Sequence, residues 1–354
     1  MTKVYSMWHT YLSSLSLHRK REYEMYCAEA GLETHAIPKM CETRFRMNLR
    51  LAEWMEKDDR CLYLCATRLK DDVNNSNKKD VTEAETLILK EFLGNYVIVR
   101  LTNKFFLNVS KPVIRLLDYF EAEDPIIYKR WDMIAELFHD FLAKFMKKTG
   151  IDDDVSVTEL MKIDFTDTSL HLSDSDIYLG GRVESFLEEL GLNRRSIELK
   201  SWLTDHVRPF YIEALQRMVK YFKPSLSSRT LQNMDVLNPK SFFAYNMDEL
   251  KHKWAYVAKK FPAVIPSIQI PELLGQVAKI RLQKKVKEAT LELTPTEFYH
   301  ELSKIENVDS TKKYCLVPKL ALALLTAHNS GSSSERDISI MVRAVLLLKL
   351  MTLL

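Results

Sequence analysis

The chain is 354 residues long, room for two domains with substantial cores, and its 46% hydrophobic and 28% charged residues exclude a long disordered protein. With only 8 Gly and 11 Pro it lacks the turn residues of a hairpin-rich sheet or a collagen-like chain, so long helices are expected. Fifty-one Lys and Arg against 48 Asp and Glu give a formal charge of +3, too balanced to drive the whole molecule toward nucleic acid and leaving that to a local patch.

In residues 1–35, Tyr5, Trp8, Leu12, Leu15, Tyr23, Tyr26 and Cys27 lie among charged residues, and helix is expected. Pro38 breaks the pattern. Phe45, Leu49, Ala52 and Met55 then recur at steps of three and four, turning one apolar stripe toward a core. Lys70–Asp80, rich in Asn and Asp, is expected to be a loop. Thr82 and Glu85 fit a capping box, and Leu89, Leu93, Val97, Leu101 and Phe105 make one apolar face of a helix interrupted before Pro112. Ile127, Trp131, Ile134, Phe138, Phe141 and Phe145 form a second stripe that should pack on the first.

Residues 151–181 are the least regular stretch. Helices follow at about Arg182–Leu190, closed by Gly191, and Ser196–Phe222, with Pro209 bending or starting part of the latter. Residues 223–241 form a connector, and the three prolines of 261–271 predict extended or irregular chain. The stretch from Lys279 reads as an amphipathic helix with a basic face. Thr294, Pro295 and Glu297 announce another helix, and Val317–Ala327 is the last readable one before SSSER starts a new one.

Cys27, Cys41, Cys61, Cys65 and Cys315 are odd in number in a long chain, which argues for reduced thiols in an intracellular protein. Cys61 and Cys65 have no Cys/His pair close behind them, so zinc is not expected. The start lacks a signal-peptide profile, and the apolar run AVLLLKLMTLL has 11 residues including Lys349, too short to span a bilayer, so no membrane partner is expected.

Glycines are too few for a phosphate-cradling loop, and HExxH, GxSxG and Cys/His arrangements are missing from the sequence. Two kinds of feature remain. Asp164, Asp167, Asp174 and Asp176 are the densest carboxylates outside the DDD run, of the type that holds Mg²⁺, although a solvated acidic loop is the ordinary explanation. Lys279, Arg281, Lys284, Lys285 and Lys287 are the best local electrostatic feature and are candidates for phosphate contacts, with a solvated helix face as the plain alternative.

The segment LVPKLALALLTAHNSGSSSERDISIM, 316–341, resembles the signature near the end of hAT-superfamily transposases. CETRFRMNLRLAEWM, from Cys41, resembles that family's Thr-Arg-Trp element with Phe45 in the aromatic place, and FYIEALQRMVKYF with Lys253-Trp254 resembles its helical insertion. The resemblance implies an RNase H-like core split by a helical insertion, with Glu335 as the final member of an Asp-Asp-Glu metal set and the chain end serving dimerisation. In the family both aspartates precede the Thr-Arg-Trp element, and the 42 residues before Thr43 contain no aspartate. One carboxylate cannot organise two metal ions. The family's zinc-finger module is likewise missing, and VRAVLLLKLMTLL replaces its charged continuation, as in a truncated or frame-shifted descendant. Ser332 and Glu335 also fit a capping box.

The expected fold is therefore mainly α: a helical insertion domain with an incomplete RNase H-like α/β remnant. The remnant falls at 1–69, the insertion at 70–275 and the dimerisation region at 276–354. The expected function is that of a catalytically incomplete transposase-derived protein, located in the cell and nuclear by family, which self-associates through Leu316, Leu320, Leu324 and Leu325 and needs no cofactor or metal. The alternative is sequence-nonspecific binding of nucleic acid, DNA above all, through the five basic residues. Ranked last is metal-dependent DNA strand transfer, with Glu335 paired to Asp164, Asp167 or Asp176.

Overall fold

The computed structural model describes residues 2–14, 16–38, 45–75, 81–121, 127–150, 155–192 and 196–327. Its helices begin with α1 (Thr2–His9), α2 (Ser16–Glu29), α3 (Phe45–Lys57) and α4 (Asp59–Asn75). Val4, Tyr5 and Trp8 are buried along the first and Tyr11 and Leu12 on the π-helical turn Thr10–Ser14 that continues it, as are Leu51 and Met55 on α3 and Leu62, Ala66 and Leu69 on α4. These are helical steps of three and four, where a strand would need alternation. Residues 1–69 are accordingly no α/β remnant. The described residues are 76% helical and 1% strand with no sheet among them, and they form only two isolated bridges, Met146 with His171 and Glu306 with Lys312. The expectation of an incomplete RNase H-like α/β core is corrected to an almost wholly helical fold.

The centre of the first core is α5 (Tyr96–Glu121). All ten residues from Leu101 to Ser110 are buried, because α3, α6 (Arg130–Phe145) and α7 (Gly181–Glu189) all pack on it. Phe105 meets Trp202, Phe210 and Tyr211 edge to face. A helix buried all round must satisfy its own polar side chains. Thr102 accepts from Trp202 Nε1 at 3.0 Å. Asn103 donates to the Ala52 carbonyl at 3.0 Å and accepts the Tyr5 hydroxyl at 2.7 Å, Lys104 meets Glu56 at 2.5 Å, and Asn108 donates to the Leu179 carbonyl at 3.3 Å. Asn108 can reach that carbonyl because Gly180, at φ 89°, has no side chain; a Cβ there would lie 2.3 Å from the amide carbon.

The helix does not stop before Pro112, which sits inside α5. Only one end of the expected stripe is buried: Leu101 and Phe105 are, while Val97 is exposed and Ile88 and Phe92 are buried in place of Leu89 and Leu93. The cause is a π-helical stretch, Ile88–Leu93, where Gly94 donates to the Leu89 carbonyl five residues back and the extra residue per turn rotates the face. Lys70–Asn75 is the last part of α4 and not a loop. Phe138, Phe141 and Phe145 are fully buried on α6, which packs on α5 and on α8 (Arg208–Leu226).

A second cluster of buried residues runs from Met234 to Leu325, separate from the first, which ends at Leu226. It is built by α9 (Met247–Lys260), α10 (Ile270–Arg281), α11 (Lys284–Glu292), α12 (Pro295–Lys304) and α13 (Leu316–Ala327). The proline run before α10 is turn and short 3₁₀ chain, with Pro271 in the first turn of α10, where its missing N–H costs nothing. The two clusters meet where the turn Ile127–Lys129 packs on Met234–Leu237. Among the described residues no helix is long and apolar enough to cross a membrane.

Candidate functional site

Leu316, Leu320, Leu324 and Leu325 lie on α13 inside the chain's own second core, between 0% and 6% exposed, against α10 and α12. They fill that core, while Leu322 and Ala323 on the same helix are half-buried. Glu335 and the tail from Val342 lie outside the described residues.

The acidic candidates are spent locally. Asp164 accepts from the Thr166 backbone and hydroxyl at 2.9 and 2.6 Å, and Asp167 accepts from Ser169 N–H at 2.9 Å; those hydrogen bonds hold both carboxyls below their usual range. Asp174 pairs with Arg208 at 2.6 Å, and Asp176 accepts from Ser173 within the same turn. Among the described residues no three His, Cys, Asp or Glu side chains are grouped to hold a metal ion. The thiols of Cys27, Cys61 and Cys65 are buried; burial pushes Cys65 up to about 12, so it is protonated and unreactive at neutral pH.

The basic stretch is not one amphipathic helix. It breaks at Leu282-Gln283, where Gln283 donates to the Ile280 carbonyl and its amide to the Tyr314 hydroxyl at 2.6 Å. Lys279 lies in the last turn of α10, Arg281 ends it, and Lys284, Lys285 and Lys287 start α11. Val286 anchors α11 in the core, leaving Lys284, Lys285 and Lys287 exposed, as is Lys279. Lys284 and Lys287, three apart, share a face.

The break also brings these cations to an aromatic turn that the sequence did not single out. Arg281 donates to the Tyr245 carbonyl at 2.5 Å, and the Lys287 ammonium stands 5.9 Å from the Phe243 ring centre. Lys253 lies 4.3 Å from the Tyr245 ring centre and pairs with Asp235 at 2.7 Å. Burial pulls the Lys253 ammonium down, but the hydrogen bond and charge of Asp235 outweigh it and hold the pKa above its usual value. Burial, then Asp235, raises the Tyr245 hydroxyl, which donates to that carboxylate. Phe243 and Tyr245 are half-buried between cations. The arrangement offers phosphate-directed charge beside π-faces, the two components of nonspecific recognition of a polynucleotide. The residues 243 and 245 are some forty positions upstream of the lysines, so no local motif announces them.

A second polar constellation lies in the first core. Asp58, between α3 and α4, is fully buried and accepts hydrogen bonds from Tyr23 and His35. It too lacks a sequence signature, its members being separated by 12 and 23 positions.

No protein-family model, curated protein or solved structure matches the chain.

Proposed function

We propose that this chain is a transposase-derived helical protein that binds nucleic acid without sequence preference, through the basic and aromatic face of α10, α11 and the Phe243–Tyr245 turn. The observation that carries it is the placement of Arg281 and Lys287 on that turn, with Lys279, Lys284 and Lys285 exposed beside them. The transposase origin rests on the likeness of residues 316–341 to the family signature. The binding reading takes precedence over self-association because the four leucines expected to mediate association are consumed by the chain's own core.

Such a face gains affinity by releasing counterions from phosphates, so its signature is steep weakening with salt and indifference to sequence. Fluorescence titration of labelled duplexes of unrelated sequence at about 50 mM and about 200 mM salt, the range over which phosphate contacts lose most of their strength, checks both. Similar affinities for all duplexes, each weakened at the higher salt, are expected. Absence of binding at the lower salt refutes the reading.

A further inference from the structure

A cleft of about 440 Å³ opens beside α2 and the segment that follows it, lined by Leu12, Lys20, Tyr23, Thr34, His35 and Ile37. The His35 side chain is 42% exposed to it, while Asp58 behind the ring is completely buried. Asp58 Oδ1 faces His35 Nδ1 at 2.6 Å, and Oδ2 accepts from the Tyr23 hydroxyl at 2.7 Å and from the His35 backbone N–H at 3.1 Å. The His35 carbonyl in turn accepts from Trp54 Nε1 at 3.1 Å. A carboxylate is an acceptor only, so the network assigns the proton of neutral His35 to Nδ1. The lone pair of Nε2 is then left without a partner among the described residues, on a ring whose backbone is held on both sides and whose tautomer is fixed from behind.

A buried carboxylate on one imidazole nitrogen orients the ring and stabilises the imidazolium that forms when the other nitrogen takes a proton. Burial, then the hydrogen bond to Asp58, pushes the Tyr23 hydroxyl up, so Tyr23 remains a donor to the carboxylate and does not compete for the proton. The cleft wall adds Leu12, Ala36 and Ile37, an apolar surface for an acyl chain, and at the side Lys20 paired with Glu24 at 3.7 Å.

We infer that this cleft is a hydrolytic site for esters of short apolar carboxylic acids, with His35 as general base and Asp58 as its positioning residue. Water loses a proton to Nε2 as its oxygen bonds to the ester carbonyl carbon, and the carbonyl electron pair moves onto oxygen. When that pair returns, the ester C–O bond breaks, and the departing alkoxide takes the proton from Nε2. The products are one carboxylic acid and one alcohol, and His35 is restored. This activity is independent of the basic face, which belongs to the second core.

The test is p-nitrophenyl butyrate hydrolysis by the full chain, with nitrophenolate release followed across pH. Wild type is expected to exceed His35→Gln by about 10²-fold, the lower range for a positioned general base. The wild-type rate should rise with pH through a single inflection. Added imidazole should raise the rate of His35→Ala above the rate that the same imidazole gives without protein, an increment that a merely structural histidine would not allow. Asp58→Asn should lower the rate, since the imidazolium loses its counter-charge. As Asp58 is a buried staple and that variant can fail for lack of folding, ¹⁵N chemical shifts of the wild-type imidazole provide a second measurement, with the proton expected on Nδ1. Equal rates for wild type and His35→Gln, failure of imidazole to rescue, or an Nε2–H tautomer would each overturn the assignment.

Discussion

Asn103 ties three helices with one amide: it accepts from Tyr5 on α1, donates to the Ala52 carbonyl on α3, and sits at 3% exposure on α5. A buried hydroxyl that loses its acceptor is desolvated for nothing, so Asn103→Ala is expected to cost about 2 kcal/mol. Tyr5→Phe combined with Asn103→Leu should recover part of that, because removing both partners leaves nothing unsatisfied. Urea midpoints of the three proteins measure it. His171 gives a pH dependence. Its ring lies tilted against Phe145 with centroids 4.2 Å apart, Nε2 lies 2.9 Å from the Phe165 carbonyl, and Nδ1 is buried without a partner among the described residues. Burial is the leading cause holding its pKa below the ordinary 6.5. The unfolded chain therefore binds the proton first, and the stability this histidine contributes is present above pH 6.5 and declines as pH falls through it toward the folded value. Urea midpoints at pH 7.5 and 5.5 should drop on acidification in wild type and drop less in His171→Gln; an identical drop would remove His171 from the account.

At the scale of single elements, capped helix starts were more legible than helix faces or helix stops: the chain runs on through Pro112 and through Lys70–Asn75 as helix. Thr82–Glu85 and Thr294–Glu297 both form reciprocal capping boxes, with Thr294 N–H 2.9 Å from the Glu297 carboxylate and Pro295 in the first turn. A cap is a contact among four consecutive residues and so is written in the local sequence. Thr294→Ala is expected to destabilise the second core by about 1 kcal/mol, with Thr294→Ser close to wild type; the emission of Trp254, buried in that core, reports the transition. Faces were read less well because they depend on register. The single extra residue of the π-helical stretch Ile88–Leu93 moved burial to Ile88 and Phe92, and neighbours on every side of α5 buried polar Asn103 and Asn108 along with Phe105. Of the candidate sites, the lysines could be read because they are contiguous. Phe243 and Tyr245 beneath them, and His35 against Asp58, could not, since only tertiary packing brings each set together.

Across the whole molecule, near-neutrality conceals an uneven distribution. The formal charge is +3, yet residues 227–292 carry eleven Lys and Arg against six Asp and Glu, so the excess there is larger than that of the whole chain, and α10 and α11 carry five of those cations. A polyanion is then steered to one end of the molecule rather than to the protein at large. Of the five cations first considered, Arg281 is partly committed to the Tyr245 carbonyl and Lys287 stands against the Phe243 ring, while the side chains of Lys279, Lys284, Lys285 and Lys287 are exposed and can meet phosphates. Each such contact with duplex contributes about −0.9 to the slope of log K against log salt, so a slope of about −3 to −4 is expected for wild type. Replacing Lys284, Lys285 and Lys287 by Gln should reduce it to about −1, with no loss of fold because all three side chains are exposed. Lys111→Gln with Arg115→Gln removes two exposed cations from the first core and should leave the slope unchanged. If instead that pair flattens the salt dependence as much as the triple replacement does, binding is diffuse attraction to the whole surface, and α10 and α11 are not its interface.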